Sequence, residues 1–167
     1  KGDFKYGRFE MRAKLPQGQG SWPAFWMMPT DSVYGEWPNS GEIDIMELVG
    51  HLPKTVYSTV HYGTGPGSDR KQYGTPYRLN NGTNFQEKFH VFSLVWVEDK
   101  MEFYVDDVLI HTVTPALLEP GSNYPFNESF FFIMNVAVGG EWPGDPDATT
   151  DFPQNMIVDY IRVFQPE

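Results

Sequence analysis

The chain has 167 residues, 40% of them hydrophobic and 16% aromatic, which is enough for one globular domain with a substantial core. Its formal net charge of -10 argues against nucleic acid and anionic membranes as partners, because both are bound through positive potential. Cysteine is absent, which excludes disulfides, a thiolate nucleophile and a cysteine-based zinc site. No apolar run approaches the roughly 20 residues that span a bilayer.

Glycine and proline recur so often that no segment keeps a helical period over three turns, so the sequence predicts an all-β protein. Short apolar or alternating runs lie between turn residues, which is typical of two packed antiparallel sheets. The predicted strands are residues 6–14, 24–28, 43–46, 56–62, 90–97, 100–105, 108–112, 130–138 and 157–164.

Longer connections rich in Pro, Gly and Asn separate these strands, and such loops often build binding sites. A short helical turn is predicted near residues 114–118. The first predicted strand begins almost at once, with no strand before it to pair with, so part of the domain is expected upstream. The predicted loops are residues 30–40, 64–84, 115–127 and 139–154.

Glu42, Asp44 and Glu47 form an acidic cluster in and around one short predicted strand. Side chains two residues apart share a face, so Glu42 and Asp44 point the same way, whereas Glu47 would point to the other face. A β-bulge at Ile45-Met46 adds one residue to the strand and returns Glu47 to the shared face. The sequence therefore predicts three carboxylates along one groove, with a separation of about 5 to 6 Å within reach of Glu42 and Glu47.

That separation is typical of a retaining glycosidase, in which one carboxylate attacks the sugar and the other acid protonates the leaving oxygen. Asp44, between the two glutamates, can share a proton or a hydrogen bond with Glu42. Crowded negative charge raises a carboxyl pKa, and we expect this for Glu47. Two other interpretations stay open: the acids form the solvated face of an edge strand, or they bind calcium as in a legume-lectin-like sandwich.

Other side chains are candidates for sugar contacts. Trp142 lies in a Gly/Pro-rich loop where a core role is hard to explain, which favours stacking on a sugar. Asn135 interrupts an apolar strand and needs hydrogen-bond partners, one of which could be a sugar hydroxyl. His61 lies on a strand predicted beside the acidic one, within reach of the acid/base or a sugar hydroxyl. The other three histidines show no metal-ligand spacing with one another, so a histidine-based metal centre is not expected.

Several motifs in chain order resemble glycoside hydrolase family 16, specifically its laminarinase-like branch of endo-β-1,3-glucanases. The acidic run resembles the bulged Glu-x-Asp-x-x-Glu signature of that family. The other matching segments are Tyr6-Gly-Arg-Phe-Glu-Met-Arg-Ala-Lys, Gly20-Ser-Trp-Pro-Ala-Phe-Trp-Met-Met-Pro, Thr59-Val-His-Tyr, Asn135-Val-Ala-Val-Gly-Gly-Glu-Trp-Pro-Gly and Val158-Asp-Tyr-Ile-Arg-Val-Phe. Together these segments span essentially the whole chain.

The resemblance implies a jelly-roll, concanavalin-like β-sandwich whose concave sheet forms an open substrate cleft. It also implies roles for the acids: Glu42 as nucleophile, Asp44 as its assistant and Glu47 as acid/base. Trp22 and Trp26 are implied to line the cleft near the point of cleavage. The further residues implied to contact the sugar, by likeness to the lichenase branch, are Glu10 and Arg12, which could otherwise form a plain surface ion pair.

The expected reaction is endo-hydrolysis of a β-1,3-glucan such as laminarin by a secreted enzyme that requires no cofactor. The alternatives are a β-1,3-1,4-glucanase, another polysaccharide hydrolase of the family, or a catalytically impaired glucan-binding module. Agarases and carrageenases share the bulged motif, but a strongly acidic chain disfavours sulfated substrates.

Family members carry additional N-terminal strands, so residues 1–167 are expected to form a single catalytic domain that lacks them. Asp159 matches a residue that helps to bind a structural calcium in relatives, although the other ligands come from the N-terminal part. A complementing N-terminal segment or self-association is therefore the expected protein partner, and a β-glucan polysaccharide or oligosaccharide the expected ligand.

Overall fold

The computed structural model describes residues 2–65, 67 and 70–165, which form eleven β-strands and one short 3₁₀ turn, Pro115–Leu117. Among these residues, no helix is long and apolar enough to cross a membrane. The strands are β1 Asp3–Phe4, β2 Gly7–Lys14, β3 Ser21–Pro29, β4 Glu42–Glu47, β5 Thr55–Tyr62, β6 Lys71–Arg78, β7 His90–Val97, β8 Lys100–Val105, β9 Val108–Val113, β10 Phe130–Val138 and β11 Ile157–Phe164.

The strands build two antiparallel sheets, which confirms the predicted jelly-roll β-sandwich. The six-stranded sheet has the order β1-β10-β3-β4-β5-β6, and the five-stranded sheet has the order β11-β2-β7-β8-β9. Alternation decides which side chains enter the space between them: Phe9, Met11 and Ala13 of β2 are fully buried, whereas the residues between them are only half-buried. The face of the six-stranded sheet that points away from the second sheet can therefore carry a binding site.

All nine predicted strands and the helical turn at 114–118 are present, but β6 lies inside the predicted loop 64–84. The sequence did not predict this strand because it contains Gly74 and Pro76, and both residue types are rare in strands. The structure tolerates Pro76 because, among the described strands, β6 pairs with β5 alone. On its other side the backbone needs no N–H donor for a neighbouring strand. Gly74 is required sterically, since a Cβ there would lie 2.7 Å from the Ser58 carbonyl oxygen.

The other end of the six-stranded sheet has an open edge. β1 pairs with β10 only at Phe130 and Phe131, so the rest of β10 has no strand on its outer side among the described residues. In the second sheet, β11 has β2 as its one partner strand within the described part of the chain. These edges are consistent with the expected complementing segment or self-association, which stays a prediction.

Candidate active site

The predicted bulge in β4 is present at Ile45-Met46. Asp44 pairs with Trp26 and Met46 pairs with Phe25, so β4 carries one residue more than β3 at this point. The pairing with β5 shifts in the same place. Ile45 and Met46 are both buried in the core, and the carboxylates on either side of them face the same cavity.

This cavity, of about 180 Å³, lies on the face of the six-stranded sheet that points away from the core. Three neighbouring strands, β10, β3 and β4, supply its walls. It contains the three acids together with two of the predicted tryptophans and the predicted asparagine. The lining residues are Trp22, Ala24, Trp26, Glu42, Asp44, Glu47, Asn135 and Ala137.

Glu47 occupies the end of the cavity that Trp22 covers. Trp22 Nε1 donates a hydrogen bond of 3.0 Å to Glu47 Oε1. Burial raises the pKa of Glu47 to about 8, and the charge of Asp44 adds to the effect. The expected direction is therefore found, although burial rather than crowded charge is the larger cause. A carboxyl group in this state is protonated at neutral pH and can act as an acid.

Asp44 and His61 lie at the other end of the cluster, beside Glu42. Asp44 is 2% exposed, and its pKa is raised well above the usual value by burial, then by the charge of Glu42 and a hydrogen bond with it. His61 Nε2 lies 3.2 Å from Asp44 Oδ2 and 3.9 Å from Glu42 Oε1. His61 is thus placed next to Glu42 and Asp44 rather than beside Glu47, and burial lowers its pKa.

Trp37, which the sequence did not single out, contacts Glu42 directly. Trp37 Nε1 donates a hydrogen bond of 2.6 Å to Glu42 Oε2, and its ring centroid lies 6.4 Å from that of His61. The side chain is 47% exposed in the loop that leads into β4. Its position in a polar loop, five residues before the acidic motif, could have identified Trp37 as a site residue. A position in a polar loop is also what made Trp142 a candidate.

Aromatic rings continue past Glu47. Trp142 is 41% exposed and packs edge-on against Trp22, with centroids 5.5 Å apart, and against Tyr57 at 5.0 Å. Tyr57 is a further residue that the sequence did not suggest. Inside the cavity, Trp26 Nε1 donates a hydrogen bond of 2.8 Å to Asn135 Oδ1, which leaves the Asn135 amide nitrogen free to donate to another group.

Glu10 and Arg12 are not in the cleft, which corrects the expectation that they contact the sugar. They lie on β2, in the other sheet, on the face turned away from the core. Glu10 accepts a hydrogen bond of 2.6 Å from Arg8, and Arg12 pairs with Asp159. Each therefore forms an ion pair, as in the plainer interpretation, but with a different partner rather than with the other.

The ion pair between Arg12 and Asp159 concerns the calcium site expected at Asp159. Asp159 Oδ2 accepts a hydrogen bond from Arg12 Nη1. No group of three His, Asp or Glu side chains among the described residues includes Asp159. The calcium site at Asp159, whose other ligands are expected in the N-terminal part, therefore stays a prediction.

Comparisons with known proteins agree with this geometry. The chain is 46% identical, over 96% of its length, to "Glucan endo-1,3-beta-glucosidase A1" of Niallia circulans, of which it covers 24%. It is 38% identical, over 92% of its length, to "Beta-1,3-glucan-binding protein" of Penaeus monodon, of which it covers 48%.

Among solved structures, the laminarinase catalytic domain of Thermotoga maritima MSB8 superposes with a TM-score of 0.91 at 48% identity. That match covers all of this chain and 66% of the other. In all three comparisons the chain spans 66% or less of the other protein's length. The sequence profile of glycosyl hydrolases family 16 matches residues 1–162, and the chain belongs to this family.

Proposed function

We propose that this chain carries out endo-hydrolysis of β-1,3-glucan with retention at the anomeric carbon. The observation that supports this most is the pair of glutamates placed on either side of a bulge and facing one cavity in different environments. Glu42 accepts a hydrogen bond from Trp37, whereas Glu47 is held in its acid form by burial. One carboxylate and one carboxylic acid are what the double-displacement reaction needs.

In the first step, the Glu42 carboxylate attacks the anomeric carbon and forms a glycosyl ester, while Glu47 gives its proton to the departing oxygen. In the second step, Glu47 takes a proton from water, the resulting hydroxide attacks the anomeric carbon, and Glu42 leaves as a carboxylate. Two inversions give net retention. Asp44, bonded to Glu42, and Trp37 hold Glu42 in position for both steps.

The substrate assignment rests on the aromatic walls and on the relatives. Indole faces at Trp22, Trp26 and Trp142 can pack against the C–H faces of successive glucose units. Among the relatives, the Niallia circulans protein is a glucan endo-1,3-beta-glucosidase and the Thermotoga maritima domain is that of a laminarinase. The net charge of -10 opposes sulfated polymers.

A glucan-binding module without catalysis is the second candidate, supported by the likeness to the Penaeus monodon protein. The three acids in one cavity favour the hydrolase, because a binding module has no need for a protonated glutamate. A reducing-end assay on laminarin, lichenan, agarose and carrageenan separates the candidates. We expect release of reducing ends with laminarin above all; binding to laminarin without any release would favour the module.

We further propose an extracellular location, since a polysaccharide is too large to cross a membrane to reach its enzyme. Fractionation of the source organism tests this proposal. Most of the protein should be found in the medium or at the cell surface, and recovery in the cell interior alone would contradict it.

The hydrogen bond from Trp37 gives a further prediction. Trp37→Phe removes the Nε1 donor but keeps an aromatic ring over the site, so kcat should fall about tenfold, as expected for a lost hydrogen bond to a charged group. KM for laminarin should change less than kcat. Trp37→Leu, which also removes the ring, should raise KM as well. If steady-state kinetics show an unchanged kcat in Trp37→Phe, the hydrogen bond from Trp37 does not position Glu42 for the reaction.

A further inference from the structure

Glu42, Asp44 and His61 present three ligand atoms to one point. The carboxylate oxygens and an imidazole nitrogen lie within 4.8 Å of one another, and the distances from His61 Nε2 are 3.2 Å to Asp44 Oδ2 and 3.9 Å to Glu42 Oε1. Glu42 Oε2 accepts the hydrogen bond from Trp37, and Oε1 is the oxygen that faces His61. Among the described residues this is the one group of three such side chains close enough to hold a metal ion.

The buried members of the group lack the partners that such atoms normally have. Asp44 is 2% exposed and His61 9%, yet Asp44 Oδ2 and His61 Nδ1 have no hydrogen-bond partner within the part of the chain that the structure describes. When the imidazole proton is on Nδ1, the Nε2 lone pair faces two carboxylate oxygens. Three lone pairs directed at one point repel one another unless a proton or a metal ion lies between them.

From this arrangement we infer that Glu42, Asp44 and His61 form a binding site for a divalent transition-metal ion of the Zn²⁺ type. One imidazole and two carboxylates suit Zn²⁺, Co²⁺ and Cu²⁺, whereas Ca²⁺ and Mg²⁺ take six or more oxygen ligands. Arg70 is an exposed cation whose charge acts electrostatically on Asp44 and His61. The two carboxylates carry more formal charge than Arg70, so the net formal charge of these groups is negative.

A bound ion would inhibit hydrolysis of the polysaccharide, a consequence that depends on the function proposed above. A metal on Glu42 Oε1 withdraws the lone pair that attacks the anomeric carbon, so the enzyme cannot form the glycosyl ester. Zn²⁺ and the polysaccharide would then compete for one cavity. A chelator should restore the rate in full.

Calorimetric titration with Zn²⁺ tests the site without any substrate. We expect one ion per chain, binding weakened at least about tenfold in His61→Ala, and no comparable heat with Ca²⁺ or Mg²⁺. The matched control is His51→Ala, which removes an exposed histidine outside the cavity and should leave binding unchanged. Equal binding by wild type and a folded His61→Ala, or loss of binding in His51→Ala, would overturn the proposal.

Crystals of the unmodified chain soaked in Zn²⁺ provide a test that does not depend on the folding of a variant. An anomalous difference peak between Glu42, Asp44 and His61 supports the site; peaks only elsewhere, or none, contradict it. Because neither measurement needs turnover, an inactive chain would disprove the proposed hydrolysis and leave the metal site to be judged by these results.

Discussion

Replacing Glu42 by Ser is expected to reduce laminarin hydrolysis at least about 10³-fold, because the side chain that forms the glycosyl ester is lost. The serine is too short to reach the anomeric carbon, and water has no base on that side of the sugar. Trp22, Trp26 and Glu47 stay in the cavity, so the variant should still bind laminari-oligosaccharides. Initial rates of reducing-end release and binding by calorimetry measure both effects.

Two controls make the result specific to Glu42. Glu36→Ser changes an exposed glutamate in the loop before β4 and should leave the rate unaltered. Azide added to Glu42→Ser can take the place of the carboxylate and should restore cleavage of an activated glycoside, giving the α-glycosyl azide. Residual activity of Glu42→Ser within tenfold of wild type would mean that another residue is the nucleophile.

Glu47→Gln is expected to lower kcat/KM on laminarin by about 10² to 10⁴, the usual contribution of a positioned acid. Glutamine can accept the hydrogen bond from Trp22 as glutamate does, so the cavity should keep its shape. A glycoside with a good leaving group needs no proton in the first step and should still form the glycosyl ester. Azide should then accelerate turnover and yield the β-glycosyl azide.

The pH dependence of wild type follows from the same group. Glu47 must be protonated in the first step, and burial raises its pKa to about 8. A raised carboxyl pKa keeps the acid form through neutral pH, so on the alkaline side activity should fall as pH rises through about 8. In Glu47→Gln this alkaline decline of kcat/KM should vanish. A decline that persists unchanged in the variant would assign it to a different group.

Much of this fold could be predicted from the sequence, because strand alternation and turn residues act locally. The bulge at Ile45-Met46 is the clearest case: the count of residues between Asp44 and Glu47 could satisfy both a buried core and a shared acidic face only with one extra residue. The positions of Trp22 and Trp26 four residues apart on one strand likewise place both in the same cavity.

What could not be predicted depends on contacts between distant segments. Glu10 and Arg12 point to the same face of β2, as their spacing predicts. The spacing does not reveal which of the two sheets contains β2. Trp37 reaches Glu42 through a loop whose path no local pattern determines. β6 is a strand only because β5 offers an edge that accepts Gly74 and Pro76.

The stereochemistry of the first product tests the proposed pairing of Glu42 and Glu47 most directly. Proton NMR spectra recorded during the first minutes of laminarin hydrolysis distinguish the two anomers of the new reducing end before they interconvert. Double displacement predicts that the β-anomer appears first and the α-anomer grows in later by mutarotation. Initial release of the α-anomer would contradict a covalent intermediate on Glu42.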